Sequence, residues 1–292
     1  MREKRRTLPM RIASAILSLV LIVLLGGFAA AALVRYSPGF DIDENAWTPK
    51  FSAATLEAMH ARKGHKSSLP IFYLRYLRAA LRGDPGQSDS LNVPVKDLLW
   101  QRAPVSARLI VPGTVGGLLL GAFCAWLAVW PRLRAVETLT VSANGLLLAI
   151  PPAVLGLFFF FAQSPIWLAV SLALLPRVFG TMRALLTQVY HSPALLAARA
   201  RGIGSLTLAW RYGVRPIVGP LIALTGVSLV LAFGVIVPIE SLCDVPGIGQ
   251  LAWKAALARD LPLLSALALM ITFAVASVHT LAEIAEAAEI AE

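Results

Sequence analysis

Six runs of apolar residues, each about 20 residues long, constrain this chain more than any other feature of its sequence. A helix needs about 20 apolar residues to cross a bilayer core that is about 30 Å thick. The runs cover 12–34, 109–130, 139–162, 165–186, 217–238 and 262–281. Of all residues 58% are apolar and 14% are charged, whereas soluble domains have about 45–50% and about 25%. The sequence therefore predicts an all-α integral membrane protein with six transmembrane helices.

The first run, 12–34, has two interpretations. Basic residues precede it and alanines end it, as in a cleaved signal peptide. The apolar part of a signal peptide is about 7–15 residues long, whereas this run has 23 residues without a charge. The length favours a helix that stays in the mature protein.

The positions of the arginines predict the orientation of the chain. A net charge of +10 is typical of nucleic-acid binding and also of membrane proteins, whose short cytoplasmic loops are rich in Lys and Arg. The stretch from Arg35 to Arg108 is basic too, but segments longer than about 60 residues escape this rule. The shorter basic segments lie before the first run, between runs two and three (Arg132 and Arg134), and between Arg177 and Arg215, where six arginines occur without an acid. After six crossings these segments share one side. We therefore expect both termini in the cytoplasm and no nucleic-acid partner.

This topology divides the chain into four parts. They are a cytoplasmic N-terminus (1–11), a first transmembrane helix (12–34), an external segment with short helices (35–106), and a core (107–292) that holds helices 2–6 and a cytoplasmic loop, 187–216. Within the external segment, 71–81 has aromatic residues and leucines at helical spacing with arginines between them. This pattern predicts an amphipathic helix on the membrane or on the bundle, and packing is its favoured role.

Small residues and prolines mark two of the runs. Gly113, Gly117 and Gly121 repeat every four residues, which lets another helix approach closely. A packing face inside the bundle is favoured over a contact between subunits. In the third run Ser142 and Asn144 precede Pro151-Pro152, a pair that breaks the helical hydrogen-bond ladder. A structural kink and the wall of a pathway are equally compatible with this break.

The segment 191–220 combines charge with a pattern that a charged loop does not need. Pro193 can open a short helix, and Gly202 and Gly204 can end it. The small residues Ala197, Ala198 and Ala200 permit close approach by a partner, with arginines between and beside them. A solvated basic loop near anionic lipid is the alternative, but such a loop requires only the charge.

Three blocks of residues carry a resemblance to a known family. Residues 83–88 read G-D-P-G-Q-S; residues 197–203 read A-A-R-A-R-G-I, with Arg215-Pro216 and Pro220 behind them; and Glu240 precedes P-G-I-G at 246–249 and R-D-L-P at 259–262. In this order the blocks resemble those of permease subunits of bacterial ABC importers of the oligopeptide and dipeptide type. In that family the second block docks a short coupling helix into a groove of the ATPase.

The resemblance implies roles for two sets of residues. An ATPase-coupling role is implied for Ala197, Ala198, Arg199, Ala200, Arg201, Gly202 and Arg215. A role in the external loop and gate is implied for Glu240, Pro246, Gly247, Gly249, Arg259 and Asp260. Helix packing is expected for Gly113, Gly117 and Gly121, and Ser142, Asn144, Pro151 and Pro152 are candidates for the pathway.

The resemblance also implies a setting for the chain. It would be a multi-pass protein of the bacterial inner membrane, with a second homologous permease, two cytoplasmic ATPase subunits and an external solute-binding protein as partners, and di- or oligopeptides as the most common cargo. The sequence has no G-x-x-x-x-G-K-[ST] motif, so ATP hydrolysis is expected in a separate subunit. We expect no catalytic residues, no cofactor and no metal. The alternative from another class is a membrane-anchored structural or sensory protein whose basic loop binds lipid.

Overall fold

The computed structural model describes residues 8–36, 68–129, 134–204 and 207–291, and the regular structure in these ranges is helical. Part of the predicted external segment, residues 37–67, lies outside them. The α-helices are α1 (Leu8–Arg35), α2 (Leu69–Leu81), α3 (Val95–Val129), α4 (Arg134–Ala149), α5 (Pro152–Phe161), α6 (Trp167–Tyr190), α7 (Pro193–Ala200), α8 (Val218–Leu242), α9 (Ile248–Leu257) and α10 (Leu261–Ala291). This architecture confirms the all-α membrane fold.

Five helices are long and apolar enough to cross a bilayer without a break: α1, α3, α6, α8 and α10. Among these, α6 is the least apolar and also the most buried. Pro176, Arg177 and Arg183 interrupt its apolar run. Burial among other helices explains how such a segment can still span the membrane, because protein rather than lipid surrounds much of it.

The centre of the bundle is the pair α3 and α6. Three glycines of α3 face side chains of α6 that lie four residues apart. The pairs are Gly113 with Val170, Gly117 with Leu174 and Gly121 with Val178. A Cβ atom added at Gly113 would lie 2.6 Å from Cβ of Val170. The small residues therefore bring the two backbones together, and dispersion contacts replace the hydrophobic drive that lipid does not provide.

The first and last spans pair in antiparallel directions. Gly26 of α1 faces Thr272 of α10, and Ala31 packs near Leu261 at the start of α10. This places the end of α1 at Arg35 beside the start of α10, close to α9. The opposite ends of both helices point toward the end of the bundle that carries α7. We refer below to the α9 end and the α7 end of the bundle.

The third predicted span, 139–162, is not one straight helix. It consists of α4 and α5, which meet at an angle of 94° at Pro151-Pro152. The proline pair breaks the helix because Pro152 has no N–H to continue the ladder. Glu137 in the first turn of α4 pairs with Arg183 near the α7 end, whereas Gly156 of α5 packs on Ile239 near the α9 end. The bent pair therefore runs from one end of the bundle to the other as the sixth span.

The second span begins earlier than its apolar run predicts. Helix α3 starts at Val95, within the predicted external segment. Val95 and Leu98 are buried against α9 and α10 in a cluster with Leu251 and Leu263. The additional turns therefore form the core of the α9 end, and hydropathy alone does not reveal them because their other faces are polar.

Candidate functional site

A buried carboxylate organises the α9 end. Glu240, in the last turn of α8, has no exposed surface. Its carboxylate accepts hydrogen bonds from Ser106 Oγ of α3 at 2.6 Å, from the N–H of Gly249 at 2.7 Å and from the N–H of Gln250 at 3.3 Å. Ser106 Oγ in turn accepts the N–H of Ile248 at 2.7 Å. The first N–H groups of α9, which have no partner inside that helix, are thus satisfied by two other helices.

Two glycines make this arrangement possible. A Cβ atom on Gly247 would overlap the carboxylate of Glu240, and a Cβ atom on Gly249 would lie 2.7 Å from Cα of Val237. Both glycines are buried, whereas the preceding Pro246 is exposed. The P-G-I-G block therefore needs its two glycines for steric reasons, because α9 begins in contact with the backbone of α8.

A second buried carboxylate joins two blocks that are distant in the sequence. Asp260 Oδ2 accepts hydrogen bonds from Ser88 Oγ at 2.5 Å and from the N–H and Oγ of Ser90 at 2.9 and 2.7 Å. Its Oδ1 accepts the N–H of Leu263 at 3.0 Å, which caps α10. The preceding Arg259 has a left-handed φ of 52°. The G-D-P-G-Q-S block is thus fixed to the start of the last span.

The α7 end contains a short capped helix. Ser192 precedes α7, and its Oγ accepts the N–H of Leu195 at 3.3 Å, which is an N-cap. After α7, Gly202 has φ of +71°. This left-handed conformation favours glycine and turns the chain back, and the N–H of Ile203 then bonds to the carbonyl of Ala198 at 3.3 Å. Gly202, which the sequence predicts as a helix breaker, therefore occupies the position after the C-cap Arg201.

The two faces of α7 have different roles. Leu195 and Ala198 are buried against the rest of the chain. The exposed face carries Ala197, Arg199, Ala200 and Arg201. The sequence pattern groups Ala198 with the alanines that a partner would approach. The structure places it on the inner face with Leu195, because positions three apart share one side of a helix.

Tyr190 at the end of α6 supports the exposed face of α7. The guanidinium carbon of Arg199 lies 5.1 Å from the centre of the Tyr190 ring. Such a cation–π contact restricts the arginine and links α7 to α6. This contact joins α7 to α6 in addition to the peptide chain between them.

The chain returns from α7 to α8 through an irregular segment. Residues Leu208–Val214 form a π-helix and Arg215–Ile217 form a 3-10 helix before α8 begins. The sequence predicts a second helix from Ser205 toward Pro216, and residues 205–206 lie outside the described ranges. A cleft of about 280 Å³ separates this segment from the end of α6 and from α7, with Gln188, Ala194, Tyr212 and Pro216 in its lining. Changes of helix type of this kind are frequent at hinges and functional sites.

The candidates for a pathway in the bent span lie on two faces. Ser142 is exposed, whereas Asn144 is buried and donates through Nδ2 to the carbonyl of Thr140 at 2.8 Å. Pro151 and Pro152 form the break itself, as the N-cap and first residue of α5. The structure thus separates Ser142, on the outer face, from Asn144, which faces neighbouring helices.

Sequence reasoning missed the hydroxyl groups that serve the two carboxylates. Ser106 lies just before an apolar run, and Ser90 follows the G-D-P-G-Q-S block, but the carboxylates that they serve lie 134 and 170 positions away in the sequence. The only signal for Ser106 in the sequence is that it is a small hydroxyl residue at the point where α3 becomes apolar. In the described ranges no group of three or more His, Cys, Asp or Glu side chains could hold a metal ion.

The sequence of this chain is similar to those of known transport proteins. The family model described as "Binding-protein-dependent transport system inner membrane component" matches residues 117–288, more than half of the chain. The nickel import system permease protein NikB of Staphylococcus aureus strain USA300 is 24% identical over 275 residues, which cover 86% of this chain and 82% of that protein. The NikB protein of strain MRSA252 is 22% identical over 285 residues, which cover 92% and 87%.

Proposed function

The chain belongs to the family of binding-protein-dependent inner membrane components, the permease subunits of ABC importers, and we propose that it forms one wall of a path for di- or oligopeptides. As a member of this family it is a multi-pass protein of the inner membrane and is not itself catalytic. The observation that carries the coupling part of the proposal is the capped helix α7, whose outer face presents small and basic residues beyond the spans. The peptide cargo is supported by the resemblance of the three sequence blocks to those of oligopeptide and dipeptide permeases.

The α7 end faces the cytoplasm in this proposal. The loop 187–216 with its arginines and no acid lies at this end, and short loops rich in Lys and Arg are cytoplasmic. The described part of the basic segment 35–106 lies at the other end, but this segment is too long to follow the rule. The start of α1 and the end of α10 point toward the α7 end, so both termini are cytoplasmic. The α9 end then faces the outside, where a solute-binding protein delivers the cargo.

The exposed face of α7 docks on an ATPase subunit. Ala197 and Ala200 allow close approach, while Arg199 and Arg201 supply positive charge for an acidic groove. Since Leu195 and Ala198 hold the other face against the chain, a push on α7 is passed to the bundle. Arg215 is exposed where the π-helical segment ends. It lies in the segment that leads from α7 back to α8, and it contributes positive charge to the docking surface.

The motion reaches the α9 end through packed elements. The link from Arg199 to Tyr190 joins α7 to α6, and the glycine contacts join α6 to α3. From α3, Ser106 bonds to Glu240, which holds the first turn of α9. We propose that this series of contacts moves as a rigid body between two arrangements when the ATPase pair closes. The bent span, with Ser142 exposed, borders the path that this shift opens.

Charge reversal at α7 tests the coupling role. In the complete importer, with its second permease, ATPase pair and solute-binding protein, Arg199→Glu/Arg201→Glu should abolish cargo-stimulated ATP hydrolysis and uptake while the spans stay folded. Lys96→Glu, an exposed charge reversal at the α9 end, is the matched control and should leave ATPase docking intact. Normal stimulation in the α7 variant would refute the coupling role, and the structural or sensory alternative would then regain support.

The cargo is tested separately from the coupling. The names of the two relatives favour nickel as a second candidate. Cells that express the complete importer should accumulate a radioactive dipeptide, and unlabelled tripeptides should compete with it. Uptake of radioactive nickel without peptide uptake would overturn the peptide assignment and leave the permease function untouched.

A further inference from the structure

Helix α2 is attached to the apolar part of α1. The hydroxyl of Tyr73 donates a hydrogen bond to the backbone carbonyl of Leu24 at 2.8 Å. The Tyr73 ring meets the Phe28 ring edge to face, with 5.5 Å between the ring centres. Leu69 and Tyr73 are buried together with Ala31 and Leu261. All these partners belong to the apolar windows of α1 and α10, Ile16–Leu33 and Leu261–Val278.

These contacts fix the depth of α2. Leu24 precedes the end of the apolar run at residue 34 by ten positions, which corresponds to about 15 Å along a helix. The apolar core of a bilayer is about 30 Å thick. The inner face of α2 therefore lies within the half of the membrane at the α9 end, rather than on top of the bundle.

The opposite face of α2 is exposed and carries two kinds of side chain. Leu74 is 60% exposed and Leu81 is 88% exposed. Arg75 and Arg78 of α2, and Arg82 directly after its last residue, are also exposed, and none of the three makes an ion pair with another described residue. The two leucines are seven residues apart, and the three arginines follow one another at spacings of three and four. All five side chains therefore lie on one side of the helix.

We propose that this outer face of α2 binds anionic phospholipid in the leaflet at the α9 end. Arg75, Arg78 and Arg82 bond to phosphate groups, while Leu74 and Leu81 lie against acyl chains. Arginine stems can lie on apolar surface while their guanidinium groups reach the headgroups, and arginine bonds phosphate through paired donors. The inner face of α2 packs on the apolar part of α1, and this position beside the bilayer core favours lipid over a water-soluble partner.

Spin labels test the depth of the outer face. The label is placed at Leu74→Cys in a chain carrying Cys124→Ser and Cys243→Ser, within the complete importer in bilayer discs that contain phosphatidylglycerol. We expect the label to be accessible to oxygen and poorly accessible to a water-soluble nickel chelate. A label at Gln87→Cys, in the exposed turn after α2, is the control and should show the reverse. Water-like access at position 74 would overturn the proposal, and so would a label shielded from both agents by the second permease.

Arginine substitutions test the lipid chemistry. Native mass spectrometry of the importer with phosphatidylglycerol or phosphatidylcholine counts the bound lipids. Arg75→Gln/Arg78→Gln/Arg82→Gln should weaken retention of phosphatidylglycerol by about tenfold or more, because each basic residue near an anionic surface contributes to binding. Replacement of the three by lysine should restore much of it, and Arg211→Gln at the α7 end should not weaken it. Unchanged retention in the triple variant, or equal retention of both lipids by the unmodified protein, would overturn the proposal.

Discussion

The α9 end and the α7 end of this bundle are held by different means. At the α9 end, Glu240 and Asp260 are buried carboxylates, and each accepts hydrogen bonds from more than one element. At the α7 end, a short helix with exposed arginines is followed by π-helical and 3-10 turns and flanked by a cleft. We call the α9 end the fixed end and the α7 end, which lacks such a buried network among its described residues, the yielding end.

The difference has a physical reason. A buried polar network whose members are all satisfied has few alternative arrangements of similar energy, so it fixes the elements it joins. Segments with few buried contacts open at low free-energy cost, and moving elements are drawn from such segments. In an importer driven from the cytoplasm, the yielding end is the one expected to receive the motion.

The largest effect is expected for Glu240→Ala. The substitution leaves the hydroxyl of Ser106 and the N–H groups of Gly249 and Gln250 without their acceptor in a buried site. Since each unsatisfied buried group costs about 1–3 kcal/mol, the α9 end should lose at least about 3 kcal/mol. The thermal unfolding midpoint of the importer in detergent measures the loss.

The reactivity of Cys243 shows whether the loss of stability in Glu240→Ala occurs at the α9 end. It directly follows α8, is buried, and burial raises the pKa of its thiol, which keeps it unreactive. A membrane-impermeant maleimide should therefore label Cys243 in Glu240→Ala and spare it in the unmodified protein and in Asp244→Asn. Equal labelling of all three proteins would contradict the fixed character of the α9 end.

Asp260→Ala should have the next largest effect, about 2–3 kcal/mol. The loss is smaller than for Glu240 because Ser90 is exposed, so water can replace part of what Asp260 provides. A double-mutant cycle with Ser88→Ala, read by thermal unfolding, should show coupling between the two side chains. Additive effects of the two substitutions would mean that the bond between the blocks does not stabilise the protein.

Gly249→Ala should destabilise the protein by about 1–3 kcal/mol, because the added methyl group collides with the backbone of α8 at Val237. Gly234→Ala, in the middle of α8, is the matched control, since a Cβ atom there has no neighbour within 4 Å. Thermal unfolding of the two variants compares a crowded glycine with a free one. Similar midpoints would argue against a steric role for the P-G-I-G block.

Gly202→Val should have the smallest effect on stability and a large one on uptake. A non-glycine residue with a left-handed φ costs about 1–2 kcal/mol, and nothing lies near the added Cβ atom. Under the proposed coupling role, the changed turn would nonetheless reorient α7 against the ATPase. Cargo uptake and membrane insertion are measured side by side, and normal uptake in this variant would count heavily against the coupling role of the α7 end.

Local patterns explain why part of this architecture was predictable. The apolar runs predicted the spans, Pro151-Pro152 predicted a break, and Pro193 with Gly202 predicted the limits of a short helix. Each of these features acts within a few residues of its own position. The angle of the break and the irregular turns before α8 depend on neighbours from other helices, so the same patterns did not reveal them.

The sequence by itself determined that the chain is helical, that it lies in a membrane, and that its blocks resemble those of importer permeases. Only the tertiary structure decided that Ser88 meets Asp260, that Ser106 meets Glu240, and that Ala198 faces inward. Helix formation and membrane insertion follow from the composition of short segments. A contact between residues more than 100 positions apart exists only after the spans have packed, because close approach and the satisfaction of buried polar groups select one arrangement among many.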